Sequence, residues 1–167
     1  AIPQNQIDAA TMICYNQFNQ STFLRGKNMR QVEQLDVSYS TRENRCSVFV
    51  GVCKSQELFE QYWEKDYELL WDDYIGFEMG IDFGINTYDE DFAVMVFQKN
   101  LTRKIDELVK NAETFDIDAL KKIYPDGLDK PYNAIIILHR MIYNGAIKEV
   151  QNETFGNFKF LGVFDSW

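Results

Sequence analysis

The sequence predicts a single α+β domain: a mostly antiparallel sheet of about five strands packed against three or four helices. Three observations lead there. The chain has 167 residues, 46% of them hydrophobic and 15% aromatic, which is the size of one domain with one sizeable core. Five segments read as strands, namely residues 47–53, 92–98, 132–143, 146–151 and 157–164, and the last three are consecutive. Helical periodicity falls between the earlier strands, a pattern that makes an α+β fold with an antiparallel sheet. Three prolines and nine glycines are too few for collagen-like or low-complexity classes. The purely apolar runs, such as residues 134–138, are far short of the roughly 20 residues a membrane helix needs. No cationic stretch precedes an apolar one at the N-terminus, so neither a secretory signal nor a membrane partner is expected.

The elements follow in order. Residues 5–18 form a short helix with Ile7, Ala10, Cys14 and Phe18 on one face. Residues 19–45 are polar loop, apart from an edge strand at 36–40 (DVSYS). Residues 47–53 (SVFVGVC) are a buried strand, after which Ser55 caps a helix whose first turn holds Glu57. That helix places Phe59, Tyr62, Trp63 and Leu70 on one side and Glu57, Glu60, Glu64 and Glu68 on the other. Asp66 would point into the apolar side, so the helix stops or bends near it. A second short helix runs from about Asp73, with Tyr74, Phe77 and Ile81 inward. Its Gly76, Gly80 and Gly84 recur at four-residue spacing and permit close backbone approach, each weakening the helix by up to about 1 kcal/mol.

Tyr88, Asp89, Glu90 and Asp91 lead into the strand at 92–98. Thr102 caps a helix presenting Ile105, Leu108, Val109 and Ala112. Asp116 caps another with Ile117, Leu120 and Ile123 inward, stopped at Tyr124 and Pro125 ahead of a Pro-Asp-Gly turn. Tyr132–Tyr143 is a long strand. Asn144 and Gly145 then predict a type I′ hairpin returning through 146–151, before a final strand at 157–164.

Charge is the sharpest feature. Residues 57–91 hold twelve acids and one base, Lys65, so this fifth of the chain carries −11 where the whole carries −9. Such a field attracts basic partners and repels nucleic acid, which argues against direct nucleic-acid binding. The bland counterpart is a solvated face that keeps the protein soluble. Of three cysteines, Cys46 and Cys53 are an odd separation apart and face opposite sides of a strand, as expected for buried thiols in a reducing compartment. A single histidine, His139, excludes metal sites needing two, and its apolar surroundings (IIILHRMIY) read as structural. Asp89 and Asp91 would share one side of a strand and chelate a hard cation weakly, yet no Ca²⁺-loop pattern surrounds them. No phosphate-binding glycine loop, dinucleotide fingerprint or zinc spacing occurs. No catalytic residue, metal or cofactor is therefore expected. Trp71 has two readings: an interface anchor on the acidic side, or a cover for the core.

Residues 83–92 (FGINTYDEDF) resemble a hallmark of the immunity protein 22 family of bacterial polymorphic toxin systems. The order of elements is similar too: a strand like SVFVGVC, a helix led by Ser-Gln-Glu with Phe59 and Tyr62, then YNAIIIL and FKFLGVF. The resemblance covers about residues 47–167 and leaves 1–46 as an N-terminal extension. It departs in 68–79, where Leu69, Leu70 and Trp71 replace a more polar loop. It implies a non-enzymatic, cytoplasmic α+β protein that binds and neutralises a cognate toxin, for example a nuclease with a basic cleft. Gly84 would cap a helix, and Phe83 and Phe92 would lie in the core. The candidate contacts are Glu64, Glu68, Trp71, Asp72, Asp73, Glu78, Asp82, Asp89, Glu90 and Asp91. Two alternatives stand beside this: an acidic interaction or regulatory module unrelated to toxins, and a hydrolase with paired carboxylates in a cleft.

Overall fold

The computed structural model describes residues 39–71, 74–110, 112 and 117–166. The helix expected over 5–18, with Cys14, and the expected cap Asp116 lie outside the described residues. Among the described residues, β1 (Tyr39–Cys53), β2 (Ala93–Thr102), β3 (Tyr132–Tyr143), β4 (Glu149–Asn152) and β5 (Gly156–Asp165) form one sheet in the order β2-β3-β1-β5-β4. Every pairing is antiparallel. The helices are α1 (Gln56–Trp63), α2 (Tyr67–Trp71), α3 (Glu78–Phe83), α4 (Ile105–Leu108) and α5 (Ile117–Ile123).

Both faces of the sheet are covered, because successive side chains of a strand point to opposite sides. Phe49 and Cys53 of β1, with Ala134, Ile136 and Leu138 of β3, look toward α1 and α3. Cys46, Val48 and Val50, with Ile135 and Ile137, look toward α4 and α5. The two cysteines are thus buried on opposite faces, as their odd separation predicts. Arg140 resets the alternation on β3. Its φ of 59°, left-handed, makes it the one non-glycine with positive φ among the described residues. Met141 and Tyr143 consequently join the first face, and β1 shifts register opposite them, between Thr41 and Cys46. Aromatic rings dominate the first core: Phe49 meets Phe83 edge-on at 4.9 Å, and Tyr62 stacks on Phe158 at 3.9 Å between centroids. Gly51 lies directly against the Phe158 ring, where a Cβ would displace it.

Local sequence explains most boundaries. Ser55 caps α1 by accepting the Leu58 N–H at 3.2 Å, and the helix ends at Glu64, before Asp66. Asp66 then starts α2, a helix the periodicity does not predict: its Oδ1 accepts the N–H groups of Glu68 and Leu69. The next helix begins at Glu78 and not at Asp73. The cause is Gly76, whose carbonyl accepts the Asp66 N–H at 2.7 Å and whose missing side chain leaves room for the Asp66 backbone. Gly84 ends α3 with φ 70°, the left-handed cap expected of it.

Four expectations are corrected. The strands read at 36–40 and 47–53 are one strand from Tyr39 onward, and it runs in the sheet's centre, not at its edge. Thr102 stays in register with Tyr132 as the last residue of β2, so the cap position of α4 passes to Lys104. Ile123 is 59% exposed, and it is Leu120 that is buried. The hairpin at Asn144–Gly145 does not form, because β3 already lies between β2 and β1 and has no vacant side for a returning strand. The chain instead places β4 beside β5 at the far edge. That turn is organised by Asn152, whose Oδ1 accepts the N–H groups of Thr154 and Phe155.

Candidate partner-binding surface

The acidic stretch folds as α1 and α3, which pack on the first face of the sheet, together with α2, none of whose residues is buried, and the turn at Glu90–Phe92. Its single base ties two parts of it together. The Lys65 side chain is 7% exposed. Its ammonium donates to the Tyr88 carbonyl at 2.5 Å, lies 4.2 Å from the Tyr88 ring centroid and pairs with Glu90 at 3.6 Å. The Tyr88 hydroxyl donates to the Trp63 carbonyl at 2.8 Å, and the Tyr67 hydroxyl donates to Glu90 at 2.8 Å. The end of α1, the start of α2 and the 89–92 turn therefore form one stapled unit. Burial, reinforced by Glu90, raises the Tyr88 phenol pKa, so the ring stays neutral in this setting. The one positive charge within the stretch is thus buried in the fold.

The candidate residues divide into three sets. Glu64, Glu68 and Trp71 are exposed along α1's end and α2, and Glu90 joins them through Tyr67. Trp71 is 81% exposed and Tyr67 53%, so Trp71 does not cover the core. Asp89 and Asp91 are exposed in the turn, where Asp89 caps by accepting the Asp91 N–H at 3.1 Å. They belong to a 3₁₀ turn and do not share the side of a strand, as the sequence reading expects. Phe92 is half-buried, and the Arg140 guanidinium stacks on its ring at 3.6 Å. Glu78 is half-buried, and Asp82 is held inside the fold, accepting from the buried Tyr62 hydroxyl at 2.9 Å and from Asn152 at 3.0 Å. Asp72 and Asp73 lie outside the described residues. Lys65 and Tyr67 were not among the candidates. Lys65 had one signal, as the lone base within the acidic stretch; the exposure of Tyr67 depends on a helix start that periodicity does not reveal.

Other chemistry has little to build on here. Among the described residues no three His, Cys, Asp or Glu side chains gather as metal ligands would. His139 is half-buried at one end of the sheet, its Nε2 has no partner, and burial lowers its pKa. The shallow groove beside it is lined by Glu43, Asp91, Phe92, Arg140 and Ser166. Glu107 is held below the ordinary carboxylate range by Thr102 and Lys104. For Asp129, burial works upward and is outweighed by hydrogen bonds from Lys159 and Tyr132. Both lie outside the acidic stretch.

Fold and surface together define an α+β domain in which one of two helical layers is acidic and presents bare aromatic rings. The chain belongs to the immunity protein 22 family, whose sequence model matches residues 46–166. That match runs from within β1 to the end of β5, and it carries the family's general role, toxin-neutralising immunity. No curated protein and no solved structure matches the chain. Among the described residues, no helix is long and apolar enough to cross a membrane.

Proposed function

We propose that this protein neutralises a cognate bacterial toxin by binding it, without catalysis, through the layer formed by α1, α2 and the 89–92 turn. Trp71 is the anchor, Tyr67 flanks it, and Glu64, Glu68 and Glu90 supply charge, with Asp89 and Asp91 in the turn; Asp72 and Asp73, next to Trp71 in the sequence, are further candidate charge contacts. Asp82 and Glu78 act at one remove, by holding α3 in place. The observation that carries this reading is Trp71, 81% exposed in a stretch, residues 57–91, whose only base, Lys65, is buried. An exposed tryptophan costs solubility and returns binding energy when a partner covers it. A surface of this sign steers a basic partner into encounter, and nuclease clefts are basic, so the toxin class favoured is a nuclease. Buried thiols on opposite faces of β1 support a cytoplasmic site of action.

The test compares tagged wild-type protein with the Trp71→Ala, Glu64→Lys, Glu68→Lys variant as bait in lysate of its own cells. A polypeptide with a basic domain should be retained at low salt by the first bait and lost from the second. Purified, that domain should be inhibited by the wild type alone. Equal retention and equal inhibition by the two baits would remove this face from the mechanism.

A further inference from the structure

We propose that the outer edge of β2 is the interface of a two-fold dimer, in which β2 of a second copy pairs antiparallel to it and the sheet becomes ten-stranded. The sheet has two outer strands, and they are treated differently. β4 is four residues long and exposes Glu149 and Gln151, the short, polar edge by which a soluble protein discourages further pairing. β2 is ten residues long, and Ala93, Val94, Met95, Val96 and Phe97 run through it without a charge or a proline. That composition suits a central strand, paired on both sides and covered on both faces. On its inner side β2 pairs with β3 from Ala93 to Phe97. On its outer side, among the described residues, no backbone hydrogen bond reaches residues 93–98. Gln98 bonds the Leu108 and Lys110 carbonyls through its side chain only, and residues 93–98 are all partly exposed.

The occupant follows from charge. The chain enters β2 through Asp89, Glu90 and Asp91 and leaves it past Lys99, Arg103 and Lys104, so the edge is acidic at one end and basic at the other. Such an edge complements a copy of itself when the two run antiparallel, and meets like with like when they run parallel. With Met95 on the two-fold axis, Ala93 pairs with Phe97 of the second copy and Val94 with its Val96. Asp91, in the 3₁₀ turn just ahead of β2, is then brought to the same end as Lys99 of the second copy, which lies just past the stretch of β2 in register with β3, twice per dimer by symmetry. Asp91 and Lys99 are both exposed, and neither has an ion-pair partner among the described residues. Main-chain hydrogen bonds along the edge would supply affinity, and the two ion pairs would fix direction and register. Glu64, Glu68 and Trp71 are no part of this edge; Asp91 is common to it and to the proposed toxin surface, so the test reads self-association of the chain alone, which the toxin reading does not predict.

The experiment is sedimentation equilibrium of the full purified chain over a concentration series, with hydrogen exchange read at residues 93–98. A monomer–dimer equilibrium is expected, with those amides protected more strongly as concentration rises. Asp91→Lys or Lys99→Asp alone should weaken the dimer about tenfold, since each removes two exposed pairs and adds two repulsions. The double variant, which swaps the two charges, should restore it, and all of these positions are exposed, so the fold is expected to persist. A chain that is monomeric throughout overturns the proposal, whether the 93–98 amides exchange freely or are protected by another segment of the chain. So does a dimer indifferent to both charge reversals. Protection of those amides only on adding a toxin domain assigns the edge to the toxin and overturns it as well.

Discussion

The two helical layers cover the same sheet, bury comparable cores and handle charge in opposite ways. Over one face, the described residues of 57–91 bring ten acids and a single base. Over the other, the described residues of 103–130 bring five acids and six bases, and several pair: Lys104 with Glu107 at 2.9 Å, Lys121 with Asp106, Lys159 of β5 with Asp129 at 2.7 Å. Exposed pairs of that kind add little stability, so the second layer is best described as electrically quiet. The first is not. Among the described residues, Glu57, Glu60, Glu64, Glu68, Asp89 and Asp91 have no cation within ion-pair distance. Folding does not require this imbalance, because the second layer folds over an equivalent face without it. A self-repelling layer that keeps its one lysine buried is therefore where selection for something other than stability should be sought.

The largest effect should come from removing that lysine. Lys65→Ala is expected to cost about 3 kcal/mol, because it strips a charge-assisted bond from a covered carbonyl and leaves the Glu90 and Tyr67 contacts without their support. The matching change in the quiet layer, Lys121→Ala, should cost less than about 0.5 kcal/mol, its partner Asp106 being well exposed. Urea unfolding of the two variants measures both. Equal losses would erase the contrast between a stapling lysine and a surface one.

Asp82 comes next. Asp82→Ala leaves the buried Tyr62 hydroxyl without its acceptor and should cost about 2 kcal/mol by the same assay. Little change would return Asp82 to the list of surface acids. Reversing Glu60 and Glu64, toward the C-terminal end of α1, to lysine, by contrast, should move stability by no more than about 0.5 kcal/mol, and upward if at all, since like charges are relieved and a helix C-terminus favours a cation. Asp106→Lys and Asp129→Lys in the other layer should move it down. Thermal melts at low and high salt separate the two signs.

How far these features could be read in the sequence varied with their range. The Ser55 cap, the stop before Asp66, the Gly84 cap and the bounds of β3 each depend on a few adjacent residues, and each is where the sequence places it. The one-strand identity of 39–53 was hidden by Arg42, Glu43 and Arg45, whose polarity reads as loop and which occupy the register shift beside Arg140. The Asn144–Gly145 signal was locally sound and failed on topology, since a hairpin turn has no effect where the neighbouring strand positions are taken. For the surface, composition alone located the acidic layer. Which acids are bare and which are bound could not be read, because Asp82 and Glu64 look alike until Tyr62 and Asn152 are placed beside one of them.

The smallest predicted effect concerns a group between the layers. His139 sits on β3 just before Arg140 switches the strand from one face to the other, and Arg42, Glu43, Asp89, Asp91 and Arg140 share the walls of its grooves. Burial lowers its pKa below the usual 6.5, so the folded protein takes up this proton at a lower pH than the unfolded chain does. Between those two values the unfolded state holds more protons, and stability must fall as pH drops through that interval. Above pH 6.5 the imidazole is neutral in both states and contributes no slope. Glu107 and Asp129 are depressed relative to ordinary values of 4.5 and 3.8, so the stability they contribute is lost only on further acidification. The windows are separable. His139→Gln should flatten the decline just below pH 6.5 and leave the steeper one near pH 4 intact, as followed by denaturant midpoints at closely spaced pH values. A decline unchanged in the variant would mean that another group takes up a proton there.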